Sequence, residues 1–234
     1  MTIRYVDETA STNADLVAAA AAGWPEGQWL RAERQTGGRG RQGRHWASPP
    51  GNLYISTLVR LRQDDPTSAS LAFVAAVALD EAVRAHMPTT DTLTLKWPND
   101  LLLDGRKLAG VLLQRVGDAV VVGMGINVAH RPDLPDRRAA SLAEHGVVTG
   151  AGELAATLVE TFAGVLECWR SVGVQPVLDR WLTRAHPVGT TLTARLPDGD
   201  VAGAFAGLDR DGALLLRLAS GEQRVIHAGD VFLN

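Results

Sequence analysis

The chain is short of several things, and each shortage excludes something. A single cysteine, Cys168, cannot form an internal disulfide, which excludes a disulfide-stapled scaffold and makes a reducing cytoplasm the expected setting. Long apolar runs are missing. The alanine-rich stretch LVAAAAAG at 16–23 falls far short of the roughly 20 residues a spanning helix needs, and the opening MTIRYVDETA has no basic-then-apolar signal pattern. No membrane role is expected. Neither sign of charge dominates: 23 basic against 26 acidic residues give a formal charge of −3, which argues against a protein whose main business is coating nucleic acid.

Lysine is the most telling shortage. Of the 23 basic residues only Lys96 and Lys107 are lysine, and the rest are arginine. A guanidinium is a rigid planar fork, whereas an ammonium is a compact charge that can follow a moving phosphate. Two lysines retained in so arginine-biased a chain are therefore candidate working residues.

What is present fits an ordinary globular protein. The 234 residues, 46% apolar and 21% charged, can bury a sizeable core as one large domain or as a domain with a small appendage. STNADLVAAAAAG opens with cap residues, Ser11 or Thr12, and stops at Gly23, which predicts a helix. GQWLRAERQ and NLYISTLVRL read as strands on either side of a glycine-rich loop. DDPTSASLAFVAAVALDEAVRAHM then reads as a buried helix. TLTLKWPNDLLL, RKLAGVLLQRV and AVVVGMGINVAH, separated by DG and GD turns, predict antiparallel neighbours. RPDLPDRRAAS is expected to be a surface loop. Two helices follow, GELAATLVETFAGVLECWRS and VQPVLDRWLTRAH; Leu154, Leu158, Phe162, Val165 and Trp169 form a core stripe in the first. Beyond Pro187, short apolar segments separated by PDG, DRDG and SGEQ predict a small antiparallel barrel of about five strands that leans on the main domain.

Four stretches carry polar chemistry. Ser11-Thr12-Asn13 serves as a helix cap, or presents hydroxyls and an amide to a polar ligand. QTGGRGRQGR at 35–44 is a solvated turn, an RGG-like nucleic-acid segment or an anion cradle; Trp46 and a strand follow at once, which places it inside a folded domain. KWPND followed by GRKLAG sets Lys96 and Asp100 around a proline and brings Lys107 close to Asp100 across a turn. That grouping is either a surface salt bridge or a carboxylate–lysine site able to meet phosphate and Mg²⁺. VVGMGINV is a buried strand whose Gly123 and Gly125 leave room for a close-packed partner, with Asn127 offering both a donor and an acceptor. No helix follows GMG, so a dinucleotide fingerprint is not supported.

In order and spacing, STN, QTGGRGRQGRHWASPPGNLYIS, KWPNDLLLDGRKLAGVLLQ and GMGIN together resemble the biotin–protein ligase family over essentially the whole chain. The resemblance implies an α+β fold: a mixed, largely antiparallel sheet packed with helices over 1–186, of the type shared with class II aminoacyl-tRNA synthetases, and an SH3-like barrel over 187–234. It implies biotin and ATP with Mg²⁺ as substrates, biotinyl-5′-AMP as intermediate, and a biotin carboxyl carrier domain as acceptor. By resemblance Ser11, Thr12, Asn13 and Gln35 meet biotin, with Gly38, Arg39, Gly40, Arg41, Lys107 and Gly110 along the acyl-adenylate. Arg44, Trp46, Asn99 and Asn127, with Arg41 and Lys107, face the nucleotide. Lys107, Arg41, Asp100 and Lys96 support the chemistry, and Asp100 is the candidate contact to Mg²⁺. The glycine–arginine loop is expected to be a lid that closes over the adenylate.

Gln114 stands where many relatives carry glutamate, at the far end of its strand, with no expected effect on chemistry. The STN motif begins at residue 11 with no helix-turn-helix before it, so a monofunctional enzyme without a DNA partner is expected; a homodimer is compatible through an exposed sheet edge. The rival readings are a lipoate–protein ligase of the same fold, a catalytically silent biotin-binding relative, and a nucleic-acid-binding module built on the RGG-like loop.

Overall fold

A computed structural model describes residues 2–88, 92–133, 138–197 and 199–233. In chain order the elements are β1 (Ile3–Thr9), α1 (Thr12–Ala21), β2 (Trp29–Gln35), β3 (Leu53–Arg60), α2 (Leu71–Ala85), β4 (Leu93–Lys96), β5 (Asp100–Leu103), β6 (Arg106–Val116) and β7 (Ala119–Ile126). They continue with α3 (Ala151–Ser171), α4 (Gln175–Arg184), β8 (Thr191–Leu196), β9 (Gly199–Leu208), β10 (Leu214–Arg217), β11 (Gln223–Ile226) and β12 (Asp230–Leu233).

The first seven strands form one sheet in the order β1-β2-β3-β7-β6-β5-β4, antiparallel except for the β1–β2 pair. The short DG and GD turns make β5–β6 and β6–β7 hairpins, as such two-residue connections do. Strand alternation divides the side chains between two faces. One face sends Leu53, Ile55, Val59, Val120, Val122 and Met124 into the main core against α2 and α3. The other packs Leu30, Leu58, Ala119 and Val121 beneath Leu16 and Ala20 of α1. The predicted stripe of α3 is wholly buried, and Phe162 meets Trp29 edge-on at 5.3 Å.

The last five strands form an antiparallel sheet, β11-β10-β9-β8-β12, in agreement with the small barrel expected. Its inner residues Leu192, Phe205, Leu214 and Val231 join the main core, so the appendage does lean on the larger unit. Trp97 Nε1 donates to Gly212 O at 3.0 Å and fixes the β9–β10 turn against the body.

Three local expectations are corrected. TLTLKWPNDLLL is not one segment: Trp97–Asn99 form the turn of a β4–β5 hairpin, which sets Lys96 opposite Asp100. The loop RPDLPDRRAAS is not uniformly superficial. Its residues 134–137 lie outside the described residues, but Ala139, Ala140 and Ser141 are buried, because Lys107 N donates to Arg138 O and Ala140 N donates to Lys107 O. β1 was not anticipated: it is a parallel edge strand whose side chains are mostly outside the core. The centre of the predicted PDG turn, residue 198, lies outside the described residues.

Candidate active site

Where β3, β7 and β6 pass the N-terminus of α1, their side chains become small or polar, and a cavity of about 300 Å³ opens, a volume typical of small-molecule sites. Its floor includes Ser56, Gly123, Gly125 and Gly110.

One end is a network of hydroxyls and amides. Ser11 caps α1 by accepting from Ala14 N at 3.4 Å. Thr12 and Asn13, only 3% and 5% exposed, form the wall beside it. Gln35 Oε1 accepts from Thr12 N at 2.9 Å, and Gln35 Nε2 donates to Ser48 Oγ at 3.1 Å. Ser56 Oγ donates to Asn13 Oδ1 at 2.6 Å, and Asn13 Nδ2 donates to Gln114 Oε1 at 2.9 Å. Ser56 has spent its proton on Asn13, and the single proton of Thr12 is taken either by Ser56 Oγ at 2.8 Å or by Gln35 Oε1 at 3.2 Å. Both hydroxyl oxygens then offer lone pairs and no spare proton. Such a seat receives N–H donors.

The glycines of β7 make this closeness feasible. A Cβ on Gly123 would stand 2.0 Å from Asn13 Oδ1, and one on Gly125 would stand 2.7 Å from the Trp46 ring. The sequence expectation of a close-packed partner at both positions holds.

The other end is cationic. Asp100, its side chain 7% exposed, lies 2.5 Å from Lys107 Nζ and 3.4 Å from Lys96 Nζ. An irregular register between β5 and β6 at Leu101–Leu102 accompanies this approach. A buried carboxylate between two ammonium groups is compensated and leaves a net positive charge, which anchors both lysines. Lys107 Nζ also stands 5.5 Å from the centroid of Trp46. Asn99 donates to Val111 O at 2.7 Å and accepts from Arg41 at 3.3 Å. Asn127 is 2% exposed and donates to Ala140 O at 3.0 Å, tying the chain after β7 to the segment that clamps Lys107.

The glycine–arginine loop folds back on itself. Arg39 and His45 form a bridge, and Gln42 and Gly43 take left-handed backbone angles of φ 57° and 72°. Arg39, Gly40, Arg41, Arg44 and Trp46 all face the cavity. Gly38 does not. It lies behind the wall, where a Cβ would meet Trp46 O at 2.5 Å, so it shapes the loop from beneath. Every other residue that the family resemblance assigns to the site lines the cavity.

Three residues next to the cavity escaped the sequence reading or were placed wrongly. Ser56, fully buried in the mostly apolar β3, is one of two adjacent hydroxyl residues there, with Thr57, and nothing local distinguishes it. Gln114 was set aside as remote, yet it bonds Asn13 directly. Asp230 of β12 pairs with Arg44 and lies 3.9 Å from Arg41, a contact across 186 residues that no local pattern announces. Tyr54 also lines the cavity, but burial raises its phenol above the ordinary range, and it donates to Pro49 O at 2.8 Å as a neutral group.

This fold and cavity have counterparts that set the class. Residues 6–129 match the model described as "Biotin/lipoate A/B protein ligase family", and residues 189–234 match "Biotin protein ligase C terminal domain". The chain is 36% identical over 235 residues to "Biotin--[acetyl-CoA-carboxylase] ligase" of Paracoccus denitrificans, covering 96% of this chain and 97% of that protein. It is 38% identical over 234 residues to the protein of the same name from Mycobacterium tuberculosis, covering 97% and 86%. Among solved structures, "Biotin protein ligase from Aquifex aeolicus in complex with biotin and ATP" superposes with a TM-score of 0.87 at 26% identity, over 100% of this chain and 99% of that one. The chain belongs to the biotin protein ligase family.

Proposed function

We propose that the chain is an ATP-dependent biotin–protein ligase. It activates biotin to biotinyl-5′-AMP with release of pyrophosphate, then transfers biotin to one lysine of a biotin carboxyl carrier domain. One observation carries this reading: a single cavity has at one end a polar seat where the Thr12 and Ser56 hydroxyls offer lone pairs and have no spare proton, and at the other five cations, Arg39, Arg41, Arg44, Lys96 and Lys107. The cyclic urea of biotin brings two N–H donors to such a seat, and its carboxylate and the ATP phosphates bring anions to the cations. Lipoate has no N–H on its dithiolane to use the seat, so the biotin reading is favoured over the lipoate one.

In this reading Ser11, Thr12, Asn13 and Gln35 seat the ring system. Lys107, Arg39, Gly40 and Gly110 flank the acyl chain and its carboxylate. Arg41, Arg44, Trp46, Asn99 and Asn127 surround the nucleotide. A carboxylate oxygen of biotin attacks the α-phosphorus of ATP, and the bond from that phosphorus to the pyrophosphate oxygen breaks. Lys107, held by Asp100, and the loop arginines stabilise the charge that gathers on the phosphoryl oxygens, each typically worth a few kcal/mol in a site closed to water. In the second half, the acceptor amine attacks the acyl carbon and AMP leaves.

Mg²⁺ enters as part of the MgATP substrate. Among the described residues no three His, Cys, Asp or Glu side chains gather to cage a cation, and Asp100 is engaged by two lysines. Asp100 therefore serves first as the anchor of Lys107. The glycine–arginine loop acts as the lid that keeps the mixed anhydride from water. A cytoplasmic site of action fits the single cysteine; among the described residues no helix is long and apolar enough to cross a membrane.

The test is mass transfer. Purified chain with MgATP and a biotin carrier domain should add one biotin to one carrier lysine and should add no lipoate under the same conditions. Transfer of lipoate in place of biotin, or of neither, would refute the assignment.

A further inference from the structure

The two arginines that flank the turn of the glycine–arginine loop do not reach only into the cavity. They also reach across it to the small C-terminal sheet. Asp230, the first residue of β12, has a side chain 16% exposed and forms an ion pair with Arg44; Arg41 Nη1 lies 3.9 Å from its second oxygen and 3.4 Å from Gly229 O. The backbone of the loop explains why both guanidiniums arrive together. Arg44 N donates to Arg41 O at 3.2 Å, and Gly40 N donates to Arg44 O at 2.7 Å, so the turn sets Arg41 and Arg44 side by side. Arg41 opens a single 3-10 turn, Arg41–Gly43, and Arg44 follows it directly; neither lies in an α-helix or a strand.

β12, by contrast, is fixed. Val231 is buried in the common core and its carbonyl accepts from Lys96 Nζ at 2.9 Å. One partner in this contact is thus rigid and the other is a loop. A guanidinium has five N–H donors, so Arg41 and Arg44 can bind the Asp230 carboxylate and a phosphate at once. Asp230 and Arg41, with side chains 16% and 27% exposed, are partly shielded from solvent, whereas Arg44 reaches Asp230 from the exposed side of the loop.

We propose that Asp230 is the latch of this lid: a positioning residue that pins the loop to the C-terminal sheet through Arg41 and Arg44 and so retains the acyl-adenylate. It touches no reacting atom. It acts on how long the product of the first step stays bound, not on how fast that product forms. The retention half of the inference rests on the biotin-ligase reading; the pinning half rests on the geometry alone.

Two measurements separate them. The first needs no ligand: trypsin cleavage after Arg39, Arg41 and Arg44, followed by mass spectrometry on the intact chain. Asp230→Asn should be cut in the loop several times faster than wild type, with Asp230→Glu close to wild type and thermal midpoints alike. Equal cleavage of all three proteins overturns the latch. The second uses biotin and MgATP: biotinyl-5′-AMP formation by pyrophosphate release, then the rate at which the adenylate leaves the protein after rapid desalting. Asp230→Asn should form adenylate within about threefold of wild type and lose it at least about tenfold faster, a separation that general destabilisation would not produce. If formation and retention fall in equal proportion, or if retention is unchanged, the proposal is wrong. Wild type that makes no adenylate, with Asp230→Asn still cut faster, overturns the ligase reading and the retention claim together and leaves only the pinning.

Discussion

Gly123 has the least room of any position in the cavity floor. A methyl group there would fall 2.0 Å from Asn13 Oδ1, which is itself held by Ser56 and cannot retreat without breaking the network. Gly123→Ala should therefore cost about 1–3 kcal/mol of overpacking, felt mainly as biotin affinity weakened about ten- to a hundredfold. Calorimetric titration with biotin, alongside a thermal melt to show the chain still folds, checks this. Gly123, Gly125, Lys96 and Lys107 were all legible in the sequence, because a glycine in a buried strand and a lysine among arginines are each locally anomalous. Gln114 and Ser56 were not, since their meaning lies in the hydrogen bonds Asn13 makes across more than forty residues. The same bonds show why glutamate is compatible at Gln114: Asn13 presents its amide N–H₂ there, and either residue supplies the acceptor it needs.

At the scale of elements, the junction between α4 and β8 holds the clearest pH-sensitive group. His186 lies there with Nε2 buried and without a hydrogen-bond partner. Burial, reinforced by the nearby charge of Lys96, lowers its pKa below the usual imidazole value. The unfolded chain, titrating near about 6.5, then binds more protons than the folded one once the pH falls below that value. Stability is full above about 6.5 and declines as the pH drops toward the folded pKa. Thermal midpoints measured from pH 7.5 down to 5 should fall, and His186→Gln should flatten part of that decline. A wild-type decline that the substitution leaves untouched would place the effect elsewhere. Helix α3 and the β6–β7 hairpin were readable because periodicity and turn residues act locally. β1 was not, because an edge strand buries little and leaves a weak pattern; nor was the buried stretch 139–142, whose alanines gain their place only by pairing with Lys107.

At the scale of the molecule, charge is distributed against its total. The chain carries a formal −3, yet its cavity wall gathers five cations and two carboxylates, Asp100 and Asp230. An anion is thus drawn to one place on a mildly acidic surface. The sequence announced the cationic cluster but not its closure, because the second wall comes from a separate sheet. Lys107 stands at the centre, between Asp100 and Trp46. The most direct test of the account is biotin-dependent exchange of labelled pyrophosphate into ATP, which reads the first chemical step without any acceptor protein. Wild type should exchange only when biotin is present, and Lys107→Ala should exchange at least about a hundredfold more slowly, the loss expected for a group that stabilises transition-state charge. Exchange without biotin, or at the wild-type rate in Lys107→Ala, would contradict it.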